Sequence, residues 1–148
     1  MSTIVPRAPL PLDTRGRWQR VRGPVLLAVA VLAASVLLHV RDPHRSGSWG
    51  FCPWLVLTGT YCPGCGGLRA VNDLTHGDLL EAASSNLLFV AALPLLVAGW
   101  ARLTWQRWWG RATGIGSRAQ VALACGSLTA ALAFAVLRNT PAGAWLAP

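Results

Sequence analysis

Three long stretches of the chain carry no charged side chain. They are residues 23–40, 82–101 and 119–137, and each has the roughly 17 to 25 residues that a helix needs to cross a bilayer. Apolar or small residues lie on every face of the helices that these stretches predict, whereas a helix of a soluble bundle keeps a polar stripe. We therefore predict an all-α integral membrane protein with three transmembrane helices.

The polar segment between the first two spans, residues 41–81, is predicted to be a Cys-rich loop that contains a short amphipathic helix. Leu68, Val71 and Leu74 recur at helical spacing, and the following His76 and Gly77 are suited to end that helix. A short apolar stretch, residues 54–57, is too short to span. The loop thus joins the first two spans without crossing the bilayer again.

Asp78 and Glu81 have the spacing of a capping box. We therefore predict that they cap the second membrane helix just before its apolar stretch begins.

The first 22 residues differ in character from the rest of the chain. They are basic, contain Pro6, Pro9, Pro11 and Gly16, and show no helical period. We predict a disordered N-terminal arm over residues 1–22 and one membrane domain over residues 23–148.

The distribution of arginine predicts the orientation of the spans. All 13 basic residues are arginines; nine lie in the N-terminal arm and the loop after the second span, and four on the opposite side. Positive charge favours the cytoplasmic side. We therefore predict a multi-pass inner (cell) membrane protein with a cytoplasmic N-terminus and with the Cys-rich loop and the C-terminus outside the cytoplasm.

Composition limits the classes of partner. The chain is 53% hydrophobic and 12% charged, with a formal charge of +8. Its arginines flank the spans and form no continuous stripe, so anionic lipid headgroups are better partners than nucleic acid. The predicted partners are the lipid bilayer and other membrane proteins, with no nucleic acid.

The loop carries three cysteines, Cys52, Cys62 and Cys65, and the last two form a Cys-Pro-Gly-Cys turn. Such a turn is compatible with a structural disulfide, with thiol-disulfide exchange, with half of a zinc site, or with thiols that stay reduced and packed. His76 is a fourth candidate ligand for a Cys3His set, although its spacing matches no standard module. No cofactor is predicted outright, and zinc remains one of the alternatives.

Arg69 and Asp73 stand four residues apart on the predicted loop helix. This spacing favours an ion pair, and Arg69 is also a candidate for a lipid phosphate. The sequence holds no recognisable catalytic set, so we do not expect an enzyme.

The run Cys52-Pro53, Leu57-Thr58-Gly59, Cys62-Pro63-Gly64-Cys65-Gly66, Arg69-Ala70, Gly77-Asp78 and Asn86 resembles a family of small bacterial integral-membrane proteins, domain of unknown function 2752. The resemblance implies a membrane location and no particular reaction. We expect an accessory or assembly component whose outer loop is stabilised by cysteines. The alternative is a thiol-disulfide or metal-handling membrane protein that uses the Cys-Pro-Gly-Cys motif.

Overall fold

The computed structural model describes residues 16–45, 49, 52–111 and 114–147. Five α-helices follow one another along the chain, and a short 3-10 helix, Pro141–Leu146, follows the last of them. The α-helices are α1 (Arg17–Val40), α2 (Pro53–Thr58), α3 (Gly67–Thr75), α4 (Leu79–Trp108) and α5 (Ser117–Arg138). Within the described ranges the chain forms no strand, so the predicted all-α class is confirmed.

Helices α1, α4 and α5 are each long and apolar enough to cross a membrane. In their most apolar windows only 11%, 0% and 6% of the residues are buried by the rest of the protein. A soluble bundle would bury such windows in a core, because exposed apolar patches of this extent are unfavourable in water. The protein is therefore a multi-pass membrane protein with three spans.

All three spanning helices are longer than the charge-free stretches that predict them, and α1 and α4 are extended the most. Helix α1 starts at Arg17, so the predicted disorder is wrong for residues 17–22, and residues 1–15 lie outside the described part of the chain. Arg17 lies over the rings of Trp108 and Trp109, and Trp18 packs edge-to-face on Trp108 with ring centroids 5.6 Å apart. These contacts join the start of α1 to the end of α4 and stabilise the additional turns of both helices.

Helix α4 begins where the capping signal predicts. The carboxylate of Asp78 accepts a hydrogen bond from the backbone N–H of Glu81 at 3.1 Å. The backbone of α4 leaves helical dihedrals at Asn86 and not at Pro94, the proline inside this helix. Asn86 compensates for the break, because its Oδ1 accepts a hydrogen bond from the N–H of Phe89 at 2.9 Å and so restarts the helix.

The predicted loop helix is present as α3, with His76 as its C-cap and Gly77 in the left-handed conformation at φ 83°. Helix α3 packs on α4 and on α1. The side chain of Asn72, 5% exposed, donates to the carbonyl of Leu38 at 2.7 Å, which ties α3 to the end of α1. The end of the molecule where α1 ends, α4 begins and α5 ends is called the loop end below.

Candidate functional site

Three cysteine sulfurs meet at the loop end. The Sγ atoms of Cys62 and Cys65 are 2.9 Å apart, those of Cys65 and Cys52 are 3.3 Å apart, and those of Cys52 and Cys62 are 3.7 Å apart. All three residues carry free thiols. Two of the sulfurs come from the Cys-Pro-Gly-Cys turn and the third from the residue that precedes α2, so the arrangement joins two separate parts of the loop. We call these three residues the Cys triad.

The turn that carries Cys62 and Cys65 is tightly hydrogen-bonded. The N–H of Cys65 donates to the carbonyl of Cys62 at 3.1 Å, and the N–H of Cys62 points at the sulfur of Cys65 at 3.3 Å. Gly66 follows with φ 81° and starts α3, a backbone conformation that strongly favours glycine. The short turn therefore presents both sulfurs on the same side.

Arg138, the last residue of α5, donates hydrogen bonds to the backbone of the Cys turn. Its Nη1 donates to the carbonyls of Cys62 and Cys65, each at 3.0 Å, and its Nη2 donates to the carbonyl of Leu146 at 2.8 Å. The residue is 1% exposed. The guanidinium also lies 4.8 Å from the ring centroid of Phe134. A buried cation thus joins the Cys turn, α5 and the C-terminal 3-10 helix.

Asn86 holds the same turn from the side of α4. Its Nδ2 donates to the carbonyls of Pro63 and Cys65 at 3.0 and 3.1 Å, and the residue is 1% exposed. On the other flank the amide of Asn139 forms two hydrogen bonds with the backbone of Tyr61, at 2.8 and 2.9 Å. Three side chains therefore hold the turn and the residue before it. They belong to Asn86 of α4, Arg138 of α5 and Asn139, the C-cap of α5.

The thiols of the Cys triad have different environments. Burial, followed by hydrogen bonding with Cys62, raises the pKa of the Cys65 thiol to about 12, and this residue is 8% exposed. The backbone N–H of Leu55 at the start of α2, followed by the Cys65 thiol, lowers the pKa of Cys52, although that N–H forms no full capping hydrogen bond with the sulfur. Cys52 is therefore the more readily ionised of the two thiols, because its thiolate is favoured by a nearby N–H donor.

The Cys triad borders an open cleft of about 500 Å³. Aromatic and apolar side chains form much of its wall, and Arg69 lies at its edge. Besides the Cys triad, the residues that line it include Trp49, Leu55, Tyr61 and Arg69.

The other predicted site residues lie outside the triad. His76 is not one of the converging ligands among the described residues, so a Cys3His set does not form. The ring of His76 donates from Nδ1 to the carbonyl of Asn72 at 2.9 Å and stacks on His39, with ring centroids 4.2 Å apart. His76 is thus the C-cap of α3, and its ring faces α1, which carries His39.

Asp73 does not pair with Arg69 as the helical spacing predicts. Its carboxylate accepts hydrogen bonds from His44 Nε2 at 2.8 Å and from Ser85 Oγ at 2.9 Å, and the residue is 7% exposed. Helix α3 directs Asp73 toward α4, whereas Arg69 borders the cleft. The lipid-phosphate role of Arg69 stays a prediction.

Arg138 and Asn139 belong to the site although their positions in the sequence did not predict it. Arg138 lies 76 residues beyond Cys62 and looked like an ordinary charge at the end of a span. One signal in the sequence could have indicated this role. Arg138 directly follows an apolar span and is itself followed by Asn139 and Thr140, so three hydrogen-bonding side chains stand together at the end of a helix.

The arrangement is suited to sulfur chemistry. The Sγ atoms of Cys62 and Cys65 are close enough for a disulfide to form with little movement. Sulfurs around a tetrahedral ion lie about 3.8 Å apart when the metal–sulfur distance is about 2.3 Å. The Cys52–Cys62 separation of 3.7 Å matches this value, and the separations of 2.9 and 3.3 Å that involve Cys65 are shorter. A metal ion would require only a small outward movement of Cys62 and Cys65.

Replacement of Arg138 by Gln should loosen the Cys turn. Three carbonyls lose their shared donor, so we expect the free energy of unfolding to fall by about 2 kcal/mol or more and the alkylation of Cys65 to become several-fold faster. The measurement is thermal unfolding and timed maleimide labelling with mass detection in detergent. Arg118→Gln, an exposed arginine at the other end of α5, is the control, and equal labelling rates in both variants would contradict the role of Arg138.

Residues 52–100 match the family model described as "Protein of unknown function (DUF2752)". Neither the curated proteins nor the solved structures contain a match to the chain. The matched segment includes the Cys triad, α3 and most of α4. The predicted resemblance is thus confirmed for residues 52–100, which match this uncharacterised domain.

Proposed function

We propose that the protein is a membrane accessory protein, not an enzyme, in which the Cys triad binds one thiophilic metal ion such as Zn²⁺. The observation that carries the proposal is the convergence of three sulfurs from two parts of the loop, all within 4.8 Å of one another. A disulfide uses two sulfurs and leaves the third without a role. A metal ion uses all three and is a usual partner of clustered thiolates.

The charge of Arg138 supports this proposal. The buried guanidinium of Arg138 donates to neutral carbonyls. Within the described part of the chain no carboxylate pairs with it, since the ion pair found there joins His44 and Asp73. A buried cation without a counterion is costly. Three thiolates with one divalent ion carry a net charge of −1 and would balance it, whereas a disulfide with one neutral thiol would not.

Metal binding would also explain how Cys65 can be ionised. Burial raises the pKa of its thiol to about 12, so at neutral pH the free thiol keeps its proton. A bound metal ion stabilises the thiolate and releases this proton. Metal affinity should therefore increase with pH.

Metal titration tests the proposal. Reduced, metal-free protein should bind one Co²⁺ per chain and develop thiolate-to-cobalt absorption. Cys52→Ser, Cys62→Ser and Cys65→Ser should each weaken binding by more than about a hundredfold, because loss of a direct ligand exceeds the effect of losing an outer hydrogen bond. Cys125→Ser is the matched control, since Cys125 is exposed on α5 and outside the triad.

Two results would contradict the metal proposal. One is the absence of cobalt absorption while all thiols remain reduced. The other is protein purified without reductant whose mass is lower by two hydrogens, which indicates a native disulfide and favours thiol exchange, the second candidate function. That candidate is supported by the 2.9 Å separation of the Cys62 and Cys65 sulfurs.

We further propose that the loop end faces away from the cytoplasm of the cell membrane. Arginines concentrate at the opposite end of the spans, which is the arrangement typical of the cytoplasmic side. They are Arg17, Arg20, Arg22, Arg102, Arg107, Arg111 and Arg118. At the loop end one of the four arginines, Arg138, is buried and bound to carbonyls.

Labelling of spheroplasts with a membrane-impermeant maleimide tests this orientation. In the presence of a chelator and a reductant, Cys52 should react in intact spheroplasts, because its thiol borders the open cleft. A cysteine placed at the opposite end by Ser117→Cys, in a chain whose native cysteines are replaced, should react only after lysis. The reverse pattern would contradict the proposed orientation.

A further inference from the structure

The cleft beside the Cys triad has the composition of a small-molecule site. Its volume of about 500 Å³ lies within the roughly 300 to 1,000 Å³ that such sites have, and such sites combine apolar walls with a few placed polar groups. Here Trp49, Leu55 and Tyr61 supply apolar and aromatic wall, the triad supplies sulfur, and Arg69 supplies one positive charge.

Arg69 is available to a ligand. It is half-buried, and within the part of the chain that the structure describes it forms no ion pair or side-chain hydrogen bond. The carboxylate expected beside it, that of Asp73, is engaged by His44 and Ser85. No carboxylate belongs to the described lining of the cleft, so the charge of Arg69 is left for an external anion.

The metal chemistry of the triad calls for one further ligand. Three cysteines leave one position of a tetrahedral ion open, and a carboxylate oxygen is an accepted zinc ligand. One divalent ion and three thiolates together carry −1, and the two positive charges of Arg138 and Arg69 bring the total to +1. A monoanion in the cleft would bring it to zero.

We propose that the cleft binds a small carboxylate with an apolar body, whose charge is met by Arg69 and which takes the open position on the metal held by the Cys triad. This inference rests on the metal-binding function proposed above. The guanidinium fork matches the two oxygens of a carboxylate, and the aromatic wall accommodates an apolar body.

The experiment uses the full-length protein in detergent, loaded with one Co²⁺, and titrates butanoate against its uncharged analogue butanamide. Butanoate should shift the cobalt ligand-field absorption and bind at least about tenfold more tightly than butanamide. Arg69→Gln should reduce this preference, because only the contribution of the metal to carboxylate binding then remains, while the thiolate-to-cobalt absorption stays. Arg45→Gln, an exposed arginine in the same loop, should keep it.

The outcomes separate the two proposals. Cobalt absorption with no response to butanoate, or an equal preference in the wild type and in Arg69→Gln, overturns the carboxylate site and leaves the metal proposal intact. A stronger response to inorganic phosphate than to butanoate overturns the assignment to a carboxylate. Absence of cobalt absorption in the wild type overturns both.

Discussion

The hydrogen bonds from Arg138 and Asn86 to the carbonyls of the Cys turn are the interactions on which the rest of the structure depends. A turn at the edge of a bilayer exposes backbone carbonyls where water is scarce, and each of them needs a donor. Here the donors come from α5 and α4, and the carbonyl of Cys65 accepts from both. The turn that presents the sulfurs therefore also joins α4 to α5.

This connection explains how a third span is held with few helix-to-helix contacts. Helix α5 packs on the 3-10 helix, which in turn packs on α4, and Arg138 bonds the carbonyl of Leu146 in that 3-10 helix. On the other side, Asn72 and Asp73 connect α3 with α1, α4 and the segment around His44. The loop thus acts as the common packing partner of all three spans at one end.

Much of this fold follows from local patterns in the sequence. Charge-free length predicts α1, α4 and α5, the spacing of Leu68, Val71 and Leu74 predicts α3, and Asp78 with Glu81 marks the start of α4. What the sequence could not show depends on distant residues. The contact of Arg138 with Cys62, and the choice of His44 over Arg69 as the partner of Asp73, arise only when helices are packed. Local helical spacing is a weak preference of a few tenths of a kcal/mol, and the two hydrogen bonds that the buried Asp73 carboxylate accepts from His44 and Ser85 outweigh it.

X-ray absorption at the zinc edge, on protein purified in the presence of zinc and without added chelator, tests most directly whether the Cys triad holds a metal ion. The spectrum should show three sulfur neighbours at about 2.3 Å and one lighter neighbour at about 2.0 Å. A shell of nitrogen and oxygen atoms only would show that the converging thiols of Cys52, Cys62 and Cys65 are not a metal site and that Arg138 does not balance a metal–thiolate charge.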